Sequence, residues 1–259
     1  MPIFIRPWGH LHYKDEGPKD APAILFANSL GTDLRMWDGV TSLLPLRTIR
    51  FDKRGHGLSA TPARDWTVED AAADAIALLD HLNIQTAAIA GCSVGGMIAP
   101  AIGIHPPTRA TALILSNTAA KIGTAESWAA RITAIETGGI ASIADTILQR
   151  WFPHAFLKSA EHLAWRTMLL RSDPLGYIQT CRALSLADLR AGLAQVTIPT
   201  LMLAGSEDQS TPPALVRDTA ALIRNAQVLE LQGSGHIPAI DAPKVTAQAI
   251  QAFLGGLHA

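Results

Sequence analysis

Apolar residues along this chain alternate between short runs and longer helical stripes. Ala23–Phe26, Thr86–Ala90 and Ala112–Leu115 are brief runs of the kind found in strands covered on both faces. His10–Tyr13 reads as extended, and Thr48–Phe51 alternates around a short β-rich core. Met36–Leu44 predicts a helix stopped by Pro45. Thr67-Val-Glu-Asp70 reads as a capping box with Asp in the place of Glu or Gln. It opens a helix with Val68, Ala72, Ala75, Leu78, Leu79 and Leu82 on one side. Thr200–Leu203, Leu215–Ile223, Val228–Leu231 and Val245–Leu254 resume the strand and helix alternation near the end. Such alternation predicts an α/β fold, a mostly parallel central sheet flanked by helices. From Ala119 to about Leu193 the strand signal vanishes, and helices broken at Gly138-Gly139, Pro153 and Pro174 are expected. The predicted plan is a core from residues 1–118 and 194–259, interrupted by a helical lid over 119–193.

Composition narrows the classes. The chain has 259 residues, 48% of them hydrophobic and 17% charged, enough apolar surface for a sizeable core and too much for disorder. The formal charge is −1 and no dense Lys/Arg run exists, which argues against nucleic acid as a partner. Ala87–Ile104 is uncharged and long enough to imitate a membrane span, but its four glycines and Pro100 favour a buried strand, a turn and a helix. Pro100 predicts a kink in that helix. The start, Met-Pro-Ile-Phe-Ile-Arg, lacks the apolar core of a signal peptide. Cys92 and Cys181 form no CxxC and suit a reducing compartment, so a soluble cytoplasmic protein without a membrane partner is expected. The sequence is compatible with a homo-oligomer and fixes no stoichiometry.

Chemistry concentrates at Gly91-Cys-Ser93-Val-Gly95, a G-x-S-x-G sequence between a strand-like run and a helix-like segment. A serine on so sharp a turn lifts its hydroxyl above the sheet, and glycines two residues away keep strand and helix from colliding. The hydroxyl needs a base. Among nine histidines, His236 follows the Val228–Leu231 strand and is placed at the same sheet edge; His56, preceding the serine, is the weaker choice. His81, His105, His154, His162 and His258 read as surface or helix-end residues, and His10 with His12 lack a third ligand for a metal. No metal and no cofactor are expected. Asp208, just past Leu201–Gly205, would orient the base. Ser93, Asp208 and His236 stand in the chain order used by α/β-hydrolases. The Val94 amide and, from Asn28-Ser-Leu-Gly31, the Leu30 amide are the expected oxyanion donors. Gly55-His-Gly57-Leu-Ser-Ala60 matches a dinucleotide-binding pattern, but Thr61-Pro62 follows where a helix should open.

These residues resemble the α/β-hydrolase superfamily over essentially the whole chain. Asn28-Ser-Leu-Gly-Thr-Asp-Leu-Arg-Met-Trp37, Arg54-Gly-His-Gly57, Ser116–Gly123, Trp128 and Arg150-Trp-Phe152 look like the 3-oxoadipate enol-lactonases of aromatic catabolism. Cys92 and Val94 depart from the residues usual in that group. The resemblance implies an α/β-hydrolase fold with a helical lid and hydrolysis of a small carboxylated lactone. The substrate's carboxylate calls for a local cation. Arg131, one helical turn from Trp128, is the first candidate, with Lys121 and Arg150 as alternatives. Trp128 and Trp151 either wall the pocket or pack the lid, and Ser29 beside Leu30 is a further substrate-binding candidate. A general carboxylesterase, a cofactor-free perhydrolase, a C–C hydrolase and a non-catalytic small-molecule receptor remain alternatives.

Overall fold

The computed structural model describes residues 1–104 and 107–257. His105 and His258, read above as surface or helix-end residues, lie outside the described residues. Eight strands form one sheet: β1 (Ile3–Arg6), β2 (Gly9–Glu16), β3 (Ala23–Ala27), β4 (Arg47–Phe51), β5 (Ala87–Cys92), β6 (Ala110–Ser116), β7 (Thr200–Gly205) and β8 (Gln227–Leu231). Their spatial order is β1-β2-β4-β3-β5-β6-β7-β8. β1 and β2 are antiparallel to their neighbours, and the other six strands run parallel. β1 escapes the sequence pattern because it is an edge strand whose residues are all at least partly exposed.

Twelve α-helical segments occur among the described residues: α1 (Asp38–Thr41), α2 (Val68–His81), α3 (Val94–Ile104), α4 (Ala125–Gly138), α5 (Ala144–Trp151), α6 (His154–Leu157), α7 (Glu161–Leu170), α8 (Pro174–Leu186), α9 (Arg190–Leu193), α10 (Pro213–Ala220), α11 (Pro238–Asp241) and α12 (Pro243–Gly256). α2 begins as its pattern implies. Thr67 Oγ1 accepts from Asp70 N, and Asp70 Oδ2 accepts from Thr67 N at 2.9 Å. The single helix expected over Met36–Leu44 is instead a 3₁₀ turn, Leu34–Trp37, followed by α1. Asp33 caps that turn through the Arg35 amide and starts it early. Pro100 lies inside α3, which continues through it to Ile104. Gly55 and Gly57 sit in turns at positive φ, and the next helix is α2, so no helix opens at the dinucleotide-like pattern.

Register places the chemistry. Ala27 is level with Gly91, Cys92 with Ser116, Ser116 with Leu203, and Gly205 with Leu231. The carboxyl ends of β3, β5, β6, β7 and β8 therefore share one rim, and the loops leaving them face each other. Between β6 and β7 the described residues form helices α4–α9 and no strand. No helix among the described residues is long and apolar enough to cross a membrane, and Ala87–Ile104 resolves into β5, a turn and α3.

Candidate active site

Ser93 joins β5 to α3 with φ at +57°, a conformation that side-chain-bearing residues rarely adopt. Its N–H donates to Ser116 O at 3.0 Å, and its carbonyl accepts from Thr118 Oγ1 at 2.7 Å. The flanking glycines are sterically required. A Cβ on Gly91 would lie 2.0 Å from Gly95 O, and one on Gly95 would lie 2.2 Å from Ala27 O. Strained backbone held so firmly is common where a side chain must be presented for chemistry.

Across the rim, His236 Nδ1 donates to Asp208 Oδ2 at 2.8 Å. The carboxylate is saturated by further donors: Asn117 Nδ2 at 2.9 Å, Thr211 Oγ1 at 2.7 Å, and the amides of Ser210 and Thr211 at 2.6 and 3.0 Å. Burial alone would raise its pKa, but the His236 interaction and these donors outweigh burial and hold it far below the usual carboxylate range. Asp208 is thus a fixed negative charge that can stabilise an imidazolium. The backbone of His236 is clamped too. Its N–H donates to Trp151 O at 2.7 Å, and the Cys92 thiol donates to its carbonyl.

Ser93 and His236 border one cavity of about 390 Å³. No hydrogen bond joins the two side chains; contacts of this kind commonly tighten only in the substrate complex. Leu30 borders the same space, and neither its amide nor that of Val94 donates to an acceptor among the described residues. Two free N–H groups beside a presented hydroxyl form the arrangement expected of an oxyanion hole. Ser29 also lines the cavity, its hydroxyl buried and unpartnered.

The helices between β6 and β7 supply the roof. Trp128 and Arg131 come from α4, Arg150 and Trp151 from α5, and Tyr177 from α8. Arg131 lies over the Trp128 ring, 5.0 Å from its centroid. The tryptophan is anchored by its own Nε1–H, which donates to Ile122 O at 2.7 Å. Neither Arg131 nor Arg150 pairs with a carboxylate among the described residues; Arg150 donates only to Gln209 O at 3.3 Å. Burial and the neighbouring Arg131 lower the Arg150 pKa from its high ordinary value. Lys121, the third cation considered, lies near Asp188 at 3.7 Å and does not line the cavity.

Several participants were invisible to motif reading. Asn117, at φ +48°, ties Asp208 to Gly235 O through its Nδ2. Thr211 touches both Asp208 and His236, with its Oγ1 3.3 Å from His236 Nδ1. His56 is no base. Its Nε2 accepts from Gly31 N at 3.0 Å and its Nδ1 faces Arg54 O at 3.1 Å, while burial and the Lys53 charge push its pKa well down. A larger cleft of about 630 Å³ is bordered by Gly31, His12, Asp52 and Ser59. There the Ser59 hydroxyl donates to Asp52 O and accepts from His12 N, so it is not free to react.

A family model described as the alpha/beta hydrolase family matches residues 24–249, most of the chain. The chain belongs to the α/β-hydrolase family. It is therefore a hydrolase by descent, and its similarity to individual members is extensive. It is 36% identical over 250 residues to 3-oxoadipate enol-lactonase 2 of Acinetobacter baylyi, covering 94% of this chain and 92% of that one. Among solved structures, the enol-lactonase from Burkholderia xenovorans LB400 superposes with a TM-score of 0.94 at 33% identity, over 98% of this chain and 100% of the other. A thermophilic esterase from Thermogutta terrifontis, solved with malate bound, gives a TM-score of 0.90 at 25% identity, over 97% and 95%. The rim of loops at the carboxyl ends of the strands is where this α/β-hydrolase fold places its chemistry.

Proposed function

We propose that the protein is a serine hydrolase that opens a small carboxylated lactone, with 3-oxoadipate enol-lactone as substrate and 3-oxoadipate as product. The observation that carries this reading is one cavity bordered by Ser93, His236, Leu30 with its unpartnered amide, and two guanidiniums without acidic partners, with the unpartnered Val94 amide next in the chain to Ser93. In this mechanism His236 takes the proton of Ser93 Oγ as the oxygen attacks the lactone carbonyl. The Leu30 and Val94 amides receive the developing oxyanion, and Asp208 balances the imidazolium. Collapse breaks the ring C–O bond, leaving an acyl-enzyme whose enolate stays tethered and takes the proton from His236. A water activated by the same imidazole releases the diacid and regenerates Ser93.

Arg131, stacked on Trp128, binds the substrate carboxylate. Arg150 adds the second positive charge that suits a dianionic product. Residues 119–193 act as the lid, because α4, α5 and α8 supply the walls that exclude water. Similarity to 3-oxoadipate enol-lactonases supports a role in aromatic catabolism, and the buried thiols Cys92 and Cys181 suit a reducing cytoplasm.

The test is turnover of purified protein with the enol-lactone and with neutral p-nitrophenyl acetate, beside Arg131→Ala and Arg150→Ala. Arg131→Ala should lower kcat/KM about 10- to 100-fold on the lactone, the size of a charge-assisted contact, and little on the neutral ester. Equal losses on both substrates would favour a general carboxylesterase.

A further inference from the structure

Lys53 lies just beyond β4 and is 1% exposed. Its Nζ donates to Ser29 O at 2.6 Å. That oxygen belongs to the peptide unit whose N–H is the Leu30 amide. Thr32 adds its hydroxyl to the same oxygen at 2.9 Å and its own N–H at 3.3 Å. A peptide is planar, so fixing the direction of its oxygen fixes the direction of its N–H on the opposite side. A hydrogen bond donated to the carbonyl also draws electron density from the amide and strengthens the N–H as a donor. Desolvation holds the Lys53 pKa well below that of an exposed lysine, partly offset by Asp52 and Asp33. A methionine would fill the same volume without that cost, so packing alone does not account for a lysine here.

We propose that Lys53 is a positioning residue for the oxyanion hole: it clamps and polarises the Ser29–Leu30 peptide so that Leu30 N–H points at the reacting carbonyl. The assignment rests on the reading of Ser93 as the nucleophile.

Lys53→Met removes the donor at similar volume, and Thr32→Val removes the second one isosterically. For each, kcat and KM are measured with p-nitrophenyl acetate, inhibition with phenylboronic acid and adipate, and folding by thermal melting. Phenylboronic acid captures Ser93 as a tetrahedral anion whose oxygen needs the hole; adipate needs only the cavity's cations. Loss of one oxyanion donor typically costs 10²–10³ in kcat, so misaiming one should cost about 10- to 100-fold. Lys53→Met is expected to lose that much in kcat with KM within about twofold. Boronate affinity should fall in step and adipate affinity should hold; Thr32→Val should show a smaller loss of the same pattern. Wild-type kcat and boronate affinity in Lys53→Met would overturn the proposal, as would parallel loss of boronate and adipate binding. Should Lys53→Met not fold, wild-type kcat and boronate affinity in Thr32→Val would overturn it. A native protein inert to both lactone and ester would instead sink the nucleophile reading beneath it.

Discussion

Substituting Gly95 by alanine probes whether the elbow and the oxyanion loop are as tightly docked as the geometry implies. The added Cβ would sit 2.2 Å from Ala27 O and 2.6 Å from Ala27 C, against backbone that cannot rotate away. Reaching an ordinary 3.4 Å contact requires the end of β3 or the start of α3 to retreat by roughly 1.2 Å. Those two segments hold the Leu30 and Val94 amides, so the displacement opens the space between both donors and Ser93. A misplacement of about 1 Å in a catalytic constellation costs on the order of 10²-fold in rate. Overpacking of a filled interior costs about 1–3 kcal/mol in stability. Gly95→Ala should therefore lose about 100-fold in kcat and, at about 2–4 °C per kcal/mol for a chain of this size, several degrees in Tm. Ester turnover and differential scanning calorimetry read both. Native kcat in a folded Gly95→Ala would refute the claim that this contact sets the donor geometry.

Two further changes follow from the same rim. Thr211→Val removes the 2.7 Å hydrogen bond to Asp208 Oδ2; with about 1.5–3 kcal/mol in a bond to a charged group, urea melts should show a comparable loss and kcat should fall about tenfold. Unchanged stability would mean that the other donors suffice. Asp241 accepts from Ser234 and from the Gly235 amide, yet burial, reinforced by the Asp208 charge, raises its pKa from 3.8 to about 6. The folded state then holds the proton more tightly than the unfolded chain, so stability falls as pH climbs from about 4 through 6, by roughly 3 kcal/mol. Asp241→Asn removes this titration, and its Tm relative to wild type should be several degrees higher at pH 8 than at pH 4; an offset independent of pH would contradict it.

What the sequence made legible were features enforced by local rules. The glycines about Ser93 are demanded by a close approach of strand, turn and helix, and such constraints survive in any sequence that forms the turn. The parallel core follows from apolar runs too short for helices and bounded by turn residues. Asp208 and His236 stood out because each lies just past a recognisable strand. Features that arise only when distant segments meet had no such signal. Lys53 looks like any charged residue in a loop until Ser29 O is found 2.6 Å from its ammonium. Thr211 reads as a turn residue, and His56 reads as a spare base until Gly31 N is found donating to it. The lid cations were ambiguous for a similar reason. Arg131, Arg150 and Lys121 all sit in segments that read as polar helix surface, and only the third dimension separates the two that line the cavity from the one beside Asp188. β1 was missed because an exposed edge strand lacks a buried face to pattern it.

Whether Ser93 is the reacting group is read most directly by intact-mass and peptide mapping after treatment with a fluorophosphonate. One phosphonyl group per chain is expected, on Ser93, with matching loss of ester turnover and no adduct on Ser93→Ala. An adduct confined to another residue, or turnover that persists in Ser93→Ala, would contradict it.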